Sequence, residues 1–559
     1  MPALSILIWL PLASGVVGAL LSGANKSAPA RVALLGSLAA LGLSIGYIAD
    51  YHSGAGLQHV TDVVWIAALG IHYKLGVSGL NVFLVGLTTL LFAAATLSLN
   101  VRKGALKPER PALFFFLFTL AESAVLGAFL AQDLALFVAF FDLMLIPFYF
   151  LVGVDWQPSI PTPPGRPDRV KATIKLVIYT LVGSLLMLAA AIAAGVLTSE
   201  QHGTPLTFVL SSMHALPLST GSQEWIFLCF AAAFLVKMPA FPLHGWMPDG
   251  YRAMPIEVLM VFSGVLSKVG AYGFLAVALP LFPRAAVHFQ TLMLLIALAS
   301  ILYGSVMAFT QTDVRLIAGF SSVAQLGFIT LGIFALNPQG AQGALLQMVN
   351  HGLVVAPLFF IIALLAQRAG GSEDLRDLGG LAFRAPVLAT LFLIVAFATL
   401  AMPGSANFVG EFLILLGVFK AKLAIAIIAF SGVVMASVYA LRLFIGAMHN
   451  RVRDGVDRSE IGQREIALLD SAVLVPLVAV IIFFAVYPQL ALQRSEGSVK
   501  AAVAASQRLS SPQVVAAARI GQLGAKMDRL MAQCEAASGK HGCVIHGSQL
   551  DTAVNEARR

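Results

Sequence analysis

The stretch "FLVKMPAFPLHGWMPDGY", residues 234–251, decides how this chain is to be read. Lys237 sits inside an apolar run, and Pro239, Pro242 and Pro248 follow within a few residues, with His244 and Asp249 between them. An ordinary soluble core has no use for a cation at a broken helix, so the surroundings must explain it. Of the 559 residues, 59% are hydrophobic and 11% charged, and the mean hydropathy is +0.88. A soluble domain carries about 25% charged residues, so the chain reads as an all-α polytopic membrane protein. A membrane barrel is excluded because the apolar runs do not alternate with period two.

Runs long enough to cross about 30 Å of hydrocarbon recur along the chain. They predict spans near 4–21, 32–48, 80–99, 112–130, 134–152, 174–197, 225–241, 258–281, 292–309, 316–336, 341–365, 386–419, 423–445 and 467–487, about fourteen in all. The twelfth is too long for one plain helix and contains Pro403-Gly404, which predicts a break there. The first span lacks a cationic start and a small-residue cleavage pattern, so it does not read as a removable signal peptide. With the N terminus outside, the inner loops hold Lys26 and Arg31; Arg102, Lys103, Lys107 and Arg110; Arg166, Arg169, Lys171 and Lys175; Arg368, Arg376 and Arg384; and Arg451, Arg453, Arg458 and Arg464. The opposite loops hold little beyond Lys74, Arg284, Lys420 and Lys422, so the positive-inside rule puts both termini outside.

The net charge of +8 then reflects topology rather than affinity for nucleic acid. Cys229, Cys534 and Cys543 lack metal-ligand spacing, and no Gly-rich nucleotide loop follows a strand, so no cofactor is expected in this chain.

An ionisable group near the bilayer centre costs a few kcal/mol, so each needs a pathway, a partner or a neutral state. The spans nevertheless carry Glu122, Asp142 in "FVAFFDLMLIPFYF", Lys237, Lys268 in "SGVLSKVGAYGF", His351 in "QMVNHGLVVAP" and Glu411 in "AMPGSANFVGEFLILL". Glu122 reads equally as a helix-to-helix hydrogen bonder, and a lone His351 as a packed interior histidine. Lys74 and Asp133 sit near span ends as interfacial groups. Two mid-span lysines together with two mid-span carboxylates read as a charge path. Burial disfavours a charged lysine and a nearby carboxylate restores it, so a movable pair switches between holding and releasing a proton. Pro239 and Pro403-Gly404 supply breaks beside these charges, where freed backbone groups must face protein or a wet cavity.

The pieces "VKMPAFPLHGWMPD" (236–249), "GVLSKVGAYGFL" (264–275), "FTQTDVRLIAGFSSVAQLGF" (309–328) and "MPGSANFVGEF" (402–412) carry a resemblance. To about residue 490 the chain is similar to the antiporter-like, Mrp-related membrane subunits of bacterial respiratory complex I (NADH-quinone oxidoreductase). Among these it looks like the M type, the counterpart of mitochondrial chain 4. The resemblance implies a proton-translocating subunit without redox centres, with two inverted five-helix repeats containing broken helices. The domains would be 1–111 (helices 1–3), 112–285 (first repeat), 286–448 (second repeat), 449–491 (inner loop and helix 14) and 492–559 (outer extension).

On the same resemblance Asp142 would pair with Lys237, Lys268 would bridge, His351 would lie on the central axis and Glu411 would be the terminal acid, with Glu122 and His244 as lesser members. NAD, FMN, Fe-S clusters and quinone would belong to partner subunits. Those partners would be the flanking antiporter-like subunits of the membrane arm, in a bacterial inner membrane. The chain departs from the family at Asp142, usually Glu; at Gln325, usually His; at "PDGY" (248–251), usually "PDAH"; and at Ser78-Gly79, usually "DG". An Mrp-type cation/proton antiporter subunit, a membrane subunit of a hydrogenase-like complex and a non-pumping structural subunit are the alternatives.

Past Leu492 the resemblance stops. Ile520, Leu523, Met527, Leu530 and Cys534 read as a short amphipathic helix on the outer side, the alternative being a weakly ordered appendage, and Cys534 and Cys543 either close a disulfide loop there or stand as two free thiols.

Overall fold

The computed structural model describes residues 3–54, 56–102, 105–157, 168–451 and 465–511, with 528 and 529. The predicted amphipathic helix of the tail and the Cys534–Cys543 bridge lie outside the described residues. Residues 1–503 form one unit and 504–559 a second.

The apolar runs become helices. α1 (Leu4–Leu21) and α2 (Ala28–Asp50) precede a hairpin of β1 (Gln58–Ile66) and β2 (Ile71–Val77), followed by α3 (Val82–Val101) and α4 (Pro111–Leu130). The fifth span is divided into α5 (Leu134–Leu143) and α6 (Leu145–Gly153), and α7 (Arg169–His202) is the longest helix described. The short α8 (Leu210–Ala215) leads to α9 (Thr220–Lys237) and α10 (Met247–Ala253). Residues Ile256–Leu281 form one span in which α11 (Ile256–Val261), α12 (Ser267–Gly273) and α13 (Leu279–Leu281) are separated by π turns at Phe262–Leu266 and Phe274–Ala278. Then come α14 (Pro283–His288), α15 (Gln290–Thr310), α16 (Val314–Ile333), α17 (Pro338–Arg368), α18 (Pro386–Thr399), α19 (Ala406–Ala421), α20 (Leu423–Met448), α21 (Leu468–Val486) and α22 (Gln489–Leu509).

Local chemistry sets many of the ends. Asp133, Asp313 and Asn337 accept backbone N–H groups at the starts of α5, α16 and α17, and Pro111, Pro338 and Pro386 occupy first turns where no amide is needed. Asp133 is thus a helix cap, and it also accepts the His72 amide at 3.1 Å.

Twelve helical segments among the described residues are long and apolar enough to cross a bilayer. The expected spans at 225–241 and 386–419 are absent from that set, and both are interrupted. α9 ends at Lys237, and turns occupy the chain to Trp246 before α10 starts. α18 has 14 residues, about 21 Å of rise, which is shorter than the hydrocarbon core. Past α18 the backbone goes left-handed at Ala401 (φ 53°) and Gly404 (φ 91°) before α19 resumes. Further interruptions are the break at Met144, with Pro147 in the first turn of α6, and the two π turns, which hold no proline.

The segment Ile256–Leu281, α16 and α17 form the buried centre, while α1, α2, α20 and α21 are only a third buried and present Leu35, Ile45, Ile427 and Phe430 outward. Such faces suit lipid. Close approach at the centre relies on small residues: a Cβ at Gly304 would stand 2.7 Å from the Ala324 nitrogen, and one at Gly327 2.8 Å from the Ala297 oxygen.

Two elements were not expected from the sequence. The hairpin is antiparallel and largely exposed along β1. The helix α22 runs across residue 492 and is tied to the bundle through Gly79 N–H to Ser498 Oγ (3.0 Å) and Gln342 Nε2 to Ser495 Oγ (2.6 Å).

Candidate functional site

Lys237 is the last residue of α9, buried at 6% exposure. Its Nζ donates to the Phe141 carbonyl at 2.6 Å and lies 3.5 Å from the centre of the Phe141 ring. The neighbouring Asp142 is close enough to feel the lysine's charge, but its carboxylate accepts from Ser184 Oγ on α7 instead. The expected Asp142–Lys237 pair is therefore present as proximity without a direct hydrogen bond. A cavity of about 10 Å³, close to the space one water needs, lies against Lys237, Thr180, Met144 and Trp246.

Lys268 is completely buried in α12, immediately after the first π turn. A π turn holds one residue more than an α turn and loosens the local ladder, and here the Ser263 carbonyl receives Lys268 Nζ at 2.6 Å and Ser267 Oγ at 3.1 Å. Gly270 brings α12 against α9, since a Cβ there would be 2.8 Å from the Phe234 carbonyl. On the other side His351 of α17 is within charge range of Lys268 and is 4% exposed, with Nδ1 making no hydrogen bond.

One helical turn before His351, Gln347 continues the polar line. Gln347 Nε2 donates to Gln325 Oε1 at 2.7 Å, and Gln325 Nε2 donates to Glu411 Oε1 at 2.7 Å. The other oxygen of Glu411 has no hydrogen-bond partner although the side chain is only 3% exposed. Ser321 and Tyr439 share a hydrogen bond of 3.1 Å nearby on α16 and α20.

Asp142, Lys237, Lys268, His351 and Glu411 thus stand on helices that touch in succession from α5 to α19, whereas two other candidates stand aside. Glu122 accepts from Ser37 Oγ of α2 at 2.6 Å and bonds none of these groups. His244 is packed among the rings of Phe241, Tyr303 and Phe320, with centroids 5.7, 4.7 and 6.3 Å away.

Sequence reasoning missed Ser184, Gln347 and a buried ion pair, Arg102 Nη2 to Glu257 Oε1 at 3.6 Å. Gln347 had a usable signal, its i,i+4 spacing to His351. Ser184 had none, because hydroxyl residues are common in helices that cross lipid. Among the described residues no three His, Cys, Asp or Glu side chains gather so as to hold a metal ion.

A bundle with interrupted helices and a buried file of ionisable groups defines an antiporter-like membrane subunit, and the comparisons agree. The family described as NADH:quinone oxidoreductase/Mrp antiporter, transmembrane, matches residues 131–437, and the chain belongs to that family. Within it, the chain is 35% identical to NADH-quinone oxidoreductase subunit M of Rhodobacter capsulatus over 502 residues, covering 87% of this chain and 93% of the relative. It is 36% identical to subunit M of Escherichia coli over 446 residues, covering 79% and 84%. A chain of respiratory complex I from Thermus thermophilus superimposes with TM-score 0.78 at 29% identity, covering 90% of this chain and 99% of that one. A chain of the Mrp complex from Dietzia shares the fold, with TM-score 0.75 at 21% identity and coverage of 91% and 100%.

Proposed function

We propose that this chain is a proton-translocating membrane-arm subunit of an NADH-quinone oxidoreductase. Protons pass along Asp142, Lys237, Lys268, His351 and Glu411, driven by quinone reduction in other subunits. What supports this reading is that these groups stand on helices that touch in succession, α5 to α9 through Lys237 and the Phe141 carbonyl, then α9 to α12, α12 to α17 and α17 to α19, with Gln347, Gln325 and Glu411 joined by hydrogen bonds at the far end. Two buried lysines and two mid-span carboxylates on neighbouring helices are harder to explain as packing than a single satisfied acid such as Glu122.

On this reading NAD, FMN, Fe-S clusters and quinone belong to partner subunits, flanking antiporter-like subunits cover part of the outward faces, and both termini lie on the outer side of a bacterial inner membrane. The two inverted repeats occupy 112–285 and 286–448, and each contains a break beside a buried charge, at Lys237–Trp246 and at Thr399–Ser405.

The test is NADH-driven proton uptake by inverted membrane vesicles carrying the assembled complex. Lys237→Ala and Lys268→Ala each lower pumping by at least about tenfold with the complex still assembled, because each removes a charge carrier rather than a packing contact. Normal pumping by both variants would remove the lysines from the path.

A further inference from the structure

Asp142 stands between two candidate partners and is bonded to the neutral one. α7 touches both α5 and α9, and Ser184 on its buried face donates to the Asp142 carboxylate. Lys237 meanwhile donates to the carbonyl of Phe141, the residue next to Asp142. Exchange of the carbonyl for the carboxylate is a short movement. The backbone around it permits such movement, since Asp142 is two residues from the turn at Met144 and Lys237 is the last residue of α9. One turn before Ser184 on the same helix, Thr180 lines the water-sized cavity at Lys237.

We propose that Ser184 is a positioning residue that competes with Lys237 for the Asp142 carboxylate, holding Asp142 away while Lys237 exchanges its proton with water beside Thr180. With Asp142 on Ser184, the proton moves between Lys237 Nζ and that water, and only N–H and O–H bonds change. With Asp142 on Lys237, the ammonium is retained. Asp142 is shorter by one methylene than a glutamate at the same position, which favours capture by a neighbouring hydroxyl over reach across to the lysine. The proposal rests on the proton-path reading of Asp142 and Lys237.

The experiment compares Ser184→Ala, Ser184→Thr, Asp142→Asn and the double variant Ser184→Ala/Asp142→Asn, reading NADH-driven proton uptake per assembled complex in inverted vesicles. A hydroxyl-to-carboxylate hydrogen bond shifts a two-partner equilibrium by about tenfold or more, so Ser184→Ala is expected to lower pumping by roughly three- to tenfold. Ser184→Thr keeps the hydroxyl and keeps at least half of the activity. The double variant pumps no worse than Asp142→Asn alone, because the serine acts only through the carboxylate. If Ser184→Ala does not assemble, Ser184→Cys, near in size and a weak donor, carries the same expectation. Wild-type pumping by the Ala or Cys variant overturns the proposal, as does an equal further loss in the Asp142→Asn background. Wild-type pumping by Asp142→Asn removes Asp142 from the path and the proposal with it, whereas the path reading as a whole falls only if Lys237→Ala and Lys268→Ala pump normally, so the two failures are told apart.

Discussion

The two ends of the polar file hold their charges in different ways. At the Lys237 end the ionisable groups are bonded to partners other than each other, a backbone carbonyl for the lysine and a hydroxyl for Asp142, beside a cavity at a helix break. At the Glu411 end the acid, on the partly exposed α19, is gripped by Gln325, which is in turn fixed by Gln347, and both glutamines stand on fully buried helices. Where the first end offers alternative partners within reach, the second offers one oriented amide and an unbonded carboxylate oxygen. On the proposed proton path, the Lys237 end is the loading site and Glu411 the fixed acceptor.

The largest effect that could break this comparison is at the acceptor. Glu411→Gln preserves shape and can still accept from Gln325, so it isolates titration from packing. It is expected to lower pumping by at least about tenfold, while Glu411→Asp stays within about threefold. Equal and wild-type-like pumping by the two variants would make Glu411 a structural acid. At the other end Asp142→Asn should cost roughly three- to tenfold and Asp142→Glu less than about twofold, since the lysine needs a nearby charge more than an exact reach. A fully active Asn variant would mean that the lysine works without a carboxylate.

A smaller effect tests the grip itself. Gln325→Leu strips from Glu411 the hydrogen bond its Oε1 accepts, which costs about 1–3 kcal/mol for a buried polar group left unsatisfied. Pumping should fall several-fold, and less of the complex should assemble. Gln347→Leu, one bond further away, should do less. If Gln347→Leu proved the more damaging, the file would run through the amide of Gln347 rather than end on a positioned acid.

Much of this was legible before the structure because lipid penalises charge. Lys237, Lys268, Asp142 and Glu411 stand out in apolar runs, and Pro239 and Pro403-Gly404 mark two breaks for the same reason. Ser184 and Gln325's role as clamp were not legible in this way, since hydroxyls and amides are tolerated in membrane helices and these two reveal themselves only through neighbours distant in sequence, while Gln347 offered only its i,i+4 spacing to His351. Glu122 shows the limit from the other side. It carries the same lipid penalty as Glu411, yet it is satisfied by Ser37 and stands apart from the file. The hairpin escaped notice because its exposed strand lacks the alternating apolar face that marks a half-buried one. The π turns in the Ile256–Leu281 span escaped because no proline lies within them, whereas the break at Met144 had a signal in Pro147, three residues on.

The hairpin supplies the contrast case, a place where opposite charges meet in water. Asp62 accepts from Lys74 at 2.9 Å and His72 at 2.7 Å, and these bonds, the lysine's foremost, hold its carboxyl below the usual carboxylate range. A group whose pKa is depressed on folding contributes stability that is present above its unfolded value, about 3.9, and is lost as pH falls through the folded value. The pair is substantially exposed, so screening keeps its worth under about 1 kcal/mol. Asp62→Asn should therefore reduce hydrogen-exchange protection of the β1–β2 amides by less than about fivefold at neutral pH, leaving pumping unchanged. The gap between variant and wild type should close as the acid range is entered. A loss of protection well beyond that range, or a pumping defect, would show that this surface pair is as consequential as the buried groups at Lys237 and Glu411, and the contrast between wet and buried charge would fail.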